Sequence, residues 1–411
     1  MKRKIKDVEN NLNKQSNFKV YELILFAVVI ILSTVFLTIV IYTTFTDKTK
    51  TSKSSNSKAT LNEFEEVYEV IKDSYYKDVD ESKMIEGAID GMLSSLGDVH
   101  TSYFTKEETE AFNQSMQGSY EGIGAELMLN EKGEVIILSV FKNSPAKEKG
   151  LKLNDIIIEV NGTSTVGKNP TEVVTLIKGN SKKDVDIKIL RSGKEMSFTL
   201  TKRIVEIDSV ESNLFKSNNR KIGYLKLNTF ADNTYSQFKE ELESLESKNI
   251  NSLIIDVRDN SGGYLSSVTE ILELFMQKHQ ILYQIEGKNK IIKYECQSNE
   301  YRTYPVVVLT NGSSASASEI LAISFKEIYV DAKIIGTTTF GKGTVQITKP
   351  LSNGGMIKYT IQKWLSPNGN WINEKGVEPN IKLELSKDYY SNPLDDNDNQ
   401  LQKAIEVLSK K

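Results

Sequence analysis

Two side chains of complementary chemistry lie within one stretch, residues 310–346, which reads TNGSSASASEILAISFKEIYVDAKIIGTTTFGKGTVQ. A β-branched run, Val306, Val307, Val308 and Leu309, precedes it and predicts a buried strand. Asn311, Gly312 and a string of Ser and Ala then leave almost no side-chain bulk, so backbone there can approach a ligand closely. From Ser316 onward, Leu321, Phe325 and Ile328 recur with the period of one helix face. A second strand is expected over residues 334–339, and it runs into Gly341-Lys342-Gly343. A small hydroxyl thus falls on a strand-to-helix turn, and a lysine falls between two glycines.

Ser316-x-x-Glu319 is also a capping box, which closes a helix N-terminus without any chemistry. The lysine argues for more. An ammonium next to a buried sheet is disfavoured by desolvation, and moving a lysine from about 10.4 to about 7.5 takes roughly 4 kcal/mol of differential environment. A neutral lysine amine can accept the proton of a serine hydroxyl, the Ser-Lys form of serine acyl transfer. With residues 342–346 extended, alternate side chains share a face, and the Gln346 amide can steady Lys342 from the same side. The chain has only two histidines, His100 and His279, neither in a recognisable catalytic setting, which favours lysine over histidine as the base. On the residues alone, Ser313, Ser314 and Ser318 rival Ser316 as nucleophile.

SASASE followed by FGKGTVQ resembles the active-site signature of the C-terminal processing peptidases, tail-specific serine proteases with a Ser/Lys dyad. The resemblance implies Ser316 as nucleophile, Lys342 as general base and Gln346 as its positioning partner. Lys342 stands 26 positions after Ser316, one residue more than the family spacing. The extra residue falls in the loop around residues 329–333, where an insertion is expected to be harmless. DVRDNSGG, residues 256–263, resembles the family's D-L-R-x-N-x-G-G loop. As an ordinary turn its glycines would only supply positive φ. The resemblance implies that Gly262 or Gly263 gives one backbone N–H of an oxyanion hole and Ala317 the other, each donor being worth roughly 3 kcal/mol to the rate.

The elements that must position these residues fill a chain of 411 residues, enough for two or three domains. With 52 basic and 55 acidic residues mixed throughout, no basic footprint for nucleic acid exists. A single cysteine, Cys296, excludes an intramolecular disulfide and a Cys-pair zinc site. No metal or organic cofactor is implied. Residues 1–22 are polar with an excess of lysine, and residues 23–42 form an uncharged apolar run of about 20 residues, long enough at ~1.5 Å per residue to cross ~30 Å of hydrocarbon. The run is longer than a signal-peptide core and lacks a small-residue cleavage motif, so it reads as an uncleaved anchor. The basic residues before it place the N-terminus in the cytoplasm and the rest of the chain outside a cell membrane crossed once. Residues 43–60 form a Ser/Thr/Lys linker.

Residues 61–117 carry two helical stripes, and residues 91–104, GMLSSLGDVHTSYF, resemble the close of the family's helical segment, with His100 expected to be structural. Residues 118–204 resemble a PDZ domain: GIGA entering a strand, VIILSV, SPAKEKGL, LNDIIIEVNG, a helix from Pro170 to Ile177 and DVDIKILRSG follow in its order. Such domains add a peptide as an extra strand and hold its C-terminal carboxylate on backbone N–H groups. The resemblance implies Gly122, Ile123, Gly124 and Ala125 as that loop. Lys178 stands where the family usually has arginine, which leaves coupling between this domain and the core less defined than the groove.

Residues 205–390 form the core, with strands near 222 and 253–258, helices over 234–245 and 264–276, and strands in MIKYTIQKWLSPNG and GVEPNI; residues 391–411 close with a helix. The expected architecture is a multidomain α/β protein: transmembrane helix, helical segment, PDZ domain and a crotonase-like α/β protease core. The expected function is that of a membrane-anchored serine endopeptidase acting on protein or peptide substrates with free C-termini. A non-catalytic PDZ scaffold and a ligand-binding protein on the same fold are the alternatives. Assembly into a homo-oligomer stays open.

Overall fold

The computed structural model describes residues 60–179 and 183–410. The expected span over residues 23–42 lies outside the described residues; among those described, no helix is long and apolar enough to cross a membrane. The chain divides into two units after Met84. In the first, the helix Leu61–Ser74 starts at a Thr60 capping box closed by Glu63 and buries none of its residues.

The second unit is built on a six-stranded sheet ordered Val210–Ser217, Arg220–Leu227, Ser252–Asp256, Val306–Thr310, Ala332–Gly336 and Ile381–Lys382. The first pair is antiparallel and all later neighbours are parallel. A parallel sheet is covered on both faces, which is why its strands read as unbroken apolar runs. Val306 and Val308 face a core with Leu253, Ile255, Phe238, Val268, Leu321 and Phe325, where three helices lie: Thr234–Ser247, Leu265–Glu273 and Ala317–Ile328. Val307 and Leu309 face the opposite way, onto Leu401, Ala404 and Leu408 of the C-terminal helix Asn399–Ser409. Each such buried side chain contributes about 1.5–3 kcal/mol relative to exposure.

A second sheet carries the lysine region. Its long strand Met356–Leu365 pairs on one side with Thr344–Pro350 and on the other with the edge strand Ser102–Phe104 and with Ile281–Glu286. The strand after the serine helix is Ala332–Gly336, starting two residues and ending three residues earlier than the apolar pattern suggested; it ends where Gly336 takes φ 129° and turns the chain away.

The module between these elements is a six-stranded sheet, Ala125–Leu129, Val135–Val140, Ile156–Val160, Asp184–Arg191 and Lys194–Thr201 with the short Thr163–Ser164. The helix Pro170–Lys178 buries Val173 and Ile177 against Ile137, Ile157 and Ile187. Its two ends meet as paired strands, Ser119–Gly122 and Arg203–Glu206. Asn233 Nδ2 donates to Gly118 O (2.8 Å) and to Ile207 O (3.2 Å), fastening both ends to the core.

Candidate active site

Three neighbouring parallel strands, Ser252–Asp256, Val306–Thr310 and Ala332–Gly336, deliver their following loops to one edge of the sheet. Carboxyl ends of parallel strands are where such folds build sites. The first two loops are sewn together. Asn311 Nδ2 donates to Asp259 Oδ1 (2.8 Å), and Asp259 N–H returns a bond to Asn311 Oδ1 (3.0 Å). Ala315 N–H donates to Asn260 O (3.1 Å), and Asn260 Nδ2 anchors on Leu227 O (2.8 Å).

These bonds separate the four serines. Ser314 Oγ donates to Val257 O (2.7 Å) and Ser318 Oγ to Asn260 O (2.8 Å), and both are buried. Ser313 is exposed on the turn, and Ser316 is half-buried at the helix start. Ser316 takes φ 54° and ψ −113°, a left-handed region that costs a non-glycine residue about 1–3 kcal/mol. Strain at a strand-to-helix turn is the feature that lifts a nucleophile's hydroxyl clear of its own backbone. Within the capping box, Ser316 N–H donates to Glu319 Oε2 at 2.8 Å and Glu319 N–H donates to Ser316 O at 2.9 Å. Gly262 (φ 104°) lies directly against this turn, and a Cβ there would stand 2.8 Å from Ala315 O and 2.9 Å from Ser316 Cβ.

Backbone N–H groups around the turn are unequally engaged. Gly262 N–H donates to Asn260 Oδ1 (2.9 Å). Neither Gly263 N–H nor Ala317 N–H has an acceptor among the described residues.

The third loop is pinned by Glu319, whose carboxylate is fully buried. Its Oε1 accepts from Thr339 Oγ1 (2.6 Å) and Gly341 N–H (2.7 Å), and its Oε2 from Lys342 N–H (2.8 Å) besides Ser316 N–H. One carboxylate therefore ties the serine turn to the lysine loop. Both tryptophans of the chain hold the same loop: Trp364 Nε1 donates to Lys342 O (2.8 Å) and Trp371 Nε1 to Gly343 O (2.9 Å). Gly343 N–H donates to Asn373 Oδ1 (3.0 Å).

Lys342 itself precedes the strand Thr344–Pro350. Burial pushes its amine below the ordinary lysine value; the Lys358 ammonium pushes the same way, while Glu319 and Asp98 oppose. Among the described residues its Nζ makes no hydrogen bond, to Ser316 Oγ or to any other group. Gln346 does not reach it: Gln346 Nε2 donates to Thr344 Oγ1 (2.9 Å) and Thr360 Oγ1 (3.0 Å). The segment ahead of the edge strand completes the surroundings. Thr101 Oγ1 donates to Asp98 Oδ2 (2.6 Å) and accepts from Thr360 N–H (3.3 Å). Although burial alone would raise the Asp98 carboxyl, bonds from the Thr101 and Thr360 hydroxyls and the His100 N–H hold it below its usual range. Burial and the charges of Lys342 and Lys358 lower the His100 imidazole, whose ring lies 6.4 Å from that of Phe340. Among the described residues no three His, Cys, Asp or Glu side chains converge as a metal site.

In the peripheral module, Ile123 is a core residue and its carbonyl accepts from Ala146 N–H (2.8 Å), while Gly124 O accepts from Phe141 N–H (3.0 Å). Gly122 is paired with Arg203, and the Tyr120 ring packs over it. Burial pushes the Tyr120 hydroxyl up to about 12, against the pull of the Ala125 and Gly124 N–H groups beside it.

Residues 221–383 match the profile of Peptidase family S41, residues 136–191 that of a PDZ domain, and residues 38–109 that of the activating protease CtpB N-terminal domain. The carboxy-terminal processing protease CtpB of Bacillus subtilis is 44% identical over 335 residues, covering 80% of this chain and 69% of the relative. The CtpA protein of the same organism is 37% identical, covering 80% of this chain and 70% of its own. This chain belongs to peptidase family S41. Among solved structures, a photosystem II D1 C-terminal processing protease is 26% identical with a TM-score of 0.46, covering 79% of this chain and 87% of that one.

Membership makes this S41 chain a carboxy-terminal processing serine peptidase with a PDZ domain acting on protein or peptide substrates, and it disfavours the scaffold and ligand-binding alternatives. Of the residues singled out in sequence, Ser316, Gly262, Gly263, Ala317 and Lys342 meet at the loop cluster, with Gln346 one strand turn beyond. Gly122, Ile123, Gly124 and Ala125 lie apart, ahead of the PDZ-matched residues 136–191, with Ile123 in the same core as Ile137 and Ile187. Sequence reading passed over Glu319 as a cap, His100 as structural, and Asp98, Thr101, Lys358 and Thr360 altogether. Only the first left a signal: a glutamate on a helix turn whose neighbours are otherwise Ser, Ala, Ile and Leu is poorly placed for solvent.

Proposed function

We propose that this S41 peptidase is a membrane-anchored endopeptidase that captures unstructured C-termini in its PDZ groove and cleaves with a Ser316–Lys342 dyad. The observation that carries the dyad is the strained Ser316 turn, joined through one buried carboxylate to the loop of a lysine with lowered proton affinity. In this reading Lys342 Nζ takes the Ser316 proton as Oγ attacks the peptide carbonyl. The oxyanion settles between Gly263 N–H and Ala317 N–H, the two groups left without acceptors, while Gly262 gives the turn room. Lys342 then returns the proton to the departing amine, and water releases the acyl group by the same route. Because no hydrogen bond yet joins Ser316 Oγ to Lys342 Nζ, a closing movement precedes proton transfer. Gln346 acts within this scheme on the lysine strand, held by its two threonines.

Residues 23–42 anchor the chain, with residues 1–22 cytoplasmic and the catalytic unit outside. Gly122, Ile123, Gly124 and Ala125 receive the substrate carboxylate. The test uses the detergent-solubilised full chain with a disordered peptide ending in free apolar residues. Internal cuts seen by mass spectrometry and lost in Ser316→Ala are expected; cuts that persist in that variant remove Ser316 from the reaction. Resistance to alkaline extraction from membranes, with the catalytic unit open to external protease, checks the topology.

A further inference from the structure

Lys358 lies on the long strand opposite Ser102 of the edge strand and opposite Thr348. Two residues on stands Thr360, so both side chains share the face on which Thr360 meets Gln346. Lys358 is half-buried, yet among the described residues its side-chain amine has neither an ion pair nor a hydrogen bond. Its Nζ sits instead 5.1 Å from the ring centre of Phe104 and 5.7 Å from that of Phe112. A ring face attracts a cation without supplying a counter-charge, and burial lowers the proton affinity of the Lys358 amine as well. Desolvating a cation without a carboxylate partner is costly.

The charges bearing on Lys342 come from each element around it. Glu319 approaches from the serine helix, Asp98 and His100 from the segment before the edge strand, and Lys358 from the long strand. Of these, Glu319 and Asp98 favour the charged Lys342 amine and Lys358 opposes it. We propose that Lys358 is a positioning residue for the peptidase reaction: its ammonium, held against Phe104 and Phe112 without a carboxylate partner, is the like charge that adds to burial in leaving Lys342 free to accept the serine proton. A neighbouring cation is a recognised way to activate a lysine. The inference rests on the dyad reading of Ser316 and Lys342.

The sign of the effect is definite. The base works unprotonated, so kcat/KM falls as pH drops through the Lys342 titration. Removing the Lys358 charge makes protonated Lys342 easier to keep and moves that acid limb to higher pH. A displacement of about one unit lowers kcat/KM roughly tenfold on the limb and leaves the high-pH plateau unchanged. Lys358→Met and Lys358→Gln both remove the charge, with different packing, and Lys358→Arg keeps it.

The experiment measures pH profiles of kcat/KM for the full chain and these variants. In parallel, acetic anhydride labelling of Lys342 against pH, in a Ser316→Ala background, reads the amine's titration by mass spectrometry without needing cleavage. The proposal expects the acid limb and the labelling midpoint to rise together in both neutral variants and to return in Lys358→Arg. Equal losses at every pH with an unmoved midpoint, or no change at all, overturn it. Cleavage that survives Ser316→Ala overturns the dyad and with it this role for Lys358, whereas cleavage lost in Ser316→Ala with an unmoved midpoint overturns this inference alone.

Discussion

Replacing Glu319 by glutamine, a change of one atom type, tests whether a single carboxylate holds the two halves of the site in place. Three of its four donors are backbone N–H groups, those of Ser316, Gly341 and Lys342, and the fourth is the Thr339 hydroxyl. Backbone donors cannot turn round. A carboxamide has one acceptor oxygen, so in either orientation its NH2 faces at least one backbone N–H. The better orientation keeps oxygen toward Ser316 and Lys342 and points NH2 at Gly341 and Thr339. One buried N–H left without a partner costs about 1–3 kcal/mol, and the surviving bonds lose their charge assistance, roughly half their strength. The total is about 3–5 kcal/mol. Expressed as stability, this lowers Tm by roughly 6–10 °C. Where only 3 kcal/mol of it is felt as misplacement of Ser316 against Lys342, kcat/KM falls about a hundredfold. Calorimetry and peptide cleavage on Glu319→Gln measure both. Activity within twofold of the parent, with Tm within about 2 °C, would refute the reasoning, since it would mean the four bonds bear no strain when one fails.

Three further outcomes are expected. Gly262→Ala forces a Cβ against Ala315 O, Ser316 Cβ and Ala317 N at φ 104°, and should cost about 2–4 kcal/mol in urea unfolding together with most cleavage; parent-like values in both would show that the turn yields. Lys342→Met should stabilise while abolishing cleavage. The folded chain holds Lys342 below its unfolded value of 10.5, so the unfolded state binds more protons and the penalty is present in full below the folded value and gone above 10.5. A gain of about 1 kcal/mol at pH 7 that shrinks toward pH 10.5 is the expected pattern, and a gain independent of pH would point to packing instead. Arg258→Met strands two buried carboxylates, since Arg258 Nη2 bridges Asp256 Oδ2 (2.6 Å) and Asp398 Oδ2 (2.7 Å); a loss of about 3–5 kcal/mol should appear in the urea midpoint, and a loss under 1 kcal/mol would show the pair relaxing to solvent.

Much of the molecule was legible because its signals are local. The run of residues 306–309 is apolar throughout because both faces of its strand are covered, and that reads directly as a central strand. The GIGA turn, the SPA helix start and the EVNG turn appear in PDZ order because each fits one backbone geometry. Helix ends were harder: the helix expected over 264–276 runs only from Leu265 to Glu273, since its last apolar residues, Leu274, Phe275 and Met276, pack into the core from a turn.

By itself, then, the sequence determined the family, the serine-rich turn, the lysine between glycines and the two-sided burial of the central strands, all written within short stretches of chain. Tertiary structure decided the rest. Four serines within six residues look alike until Val257 O and Asn260 O claim two of them. Two adjacent glycine N–H groups are equivalent until Asn260 Oδ1 takes the first. Thr101 meets Thr360 across 259 positions, and Lys358 reaches Phe104 and Phe112 from a different sheet strand. Hydrogen-bond partners and counter-charges this far apart in the chain carry no period or motif. They exist only once the strands have paired, because a carboxylate or an ammonium acts through distance in space.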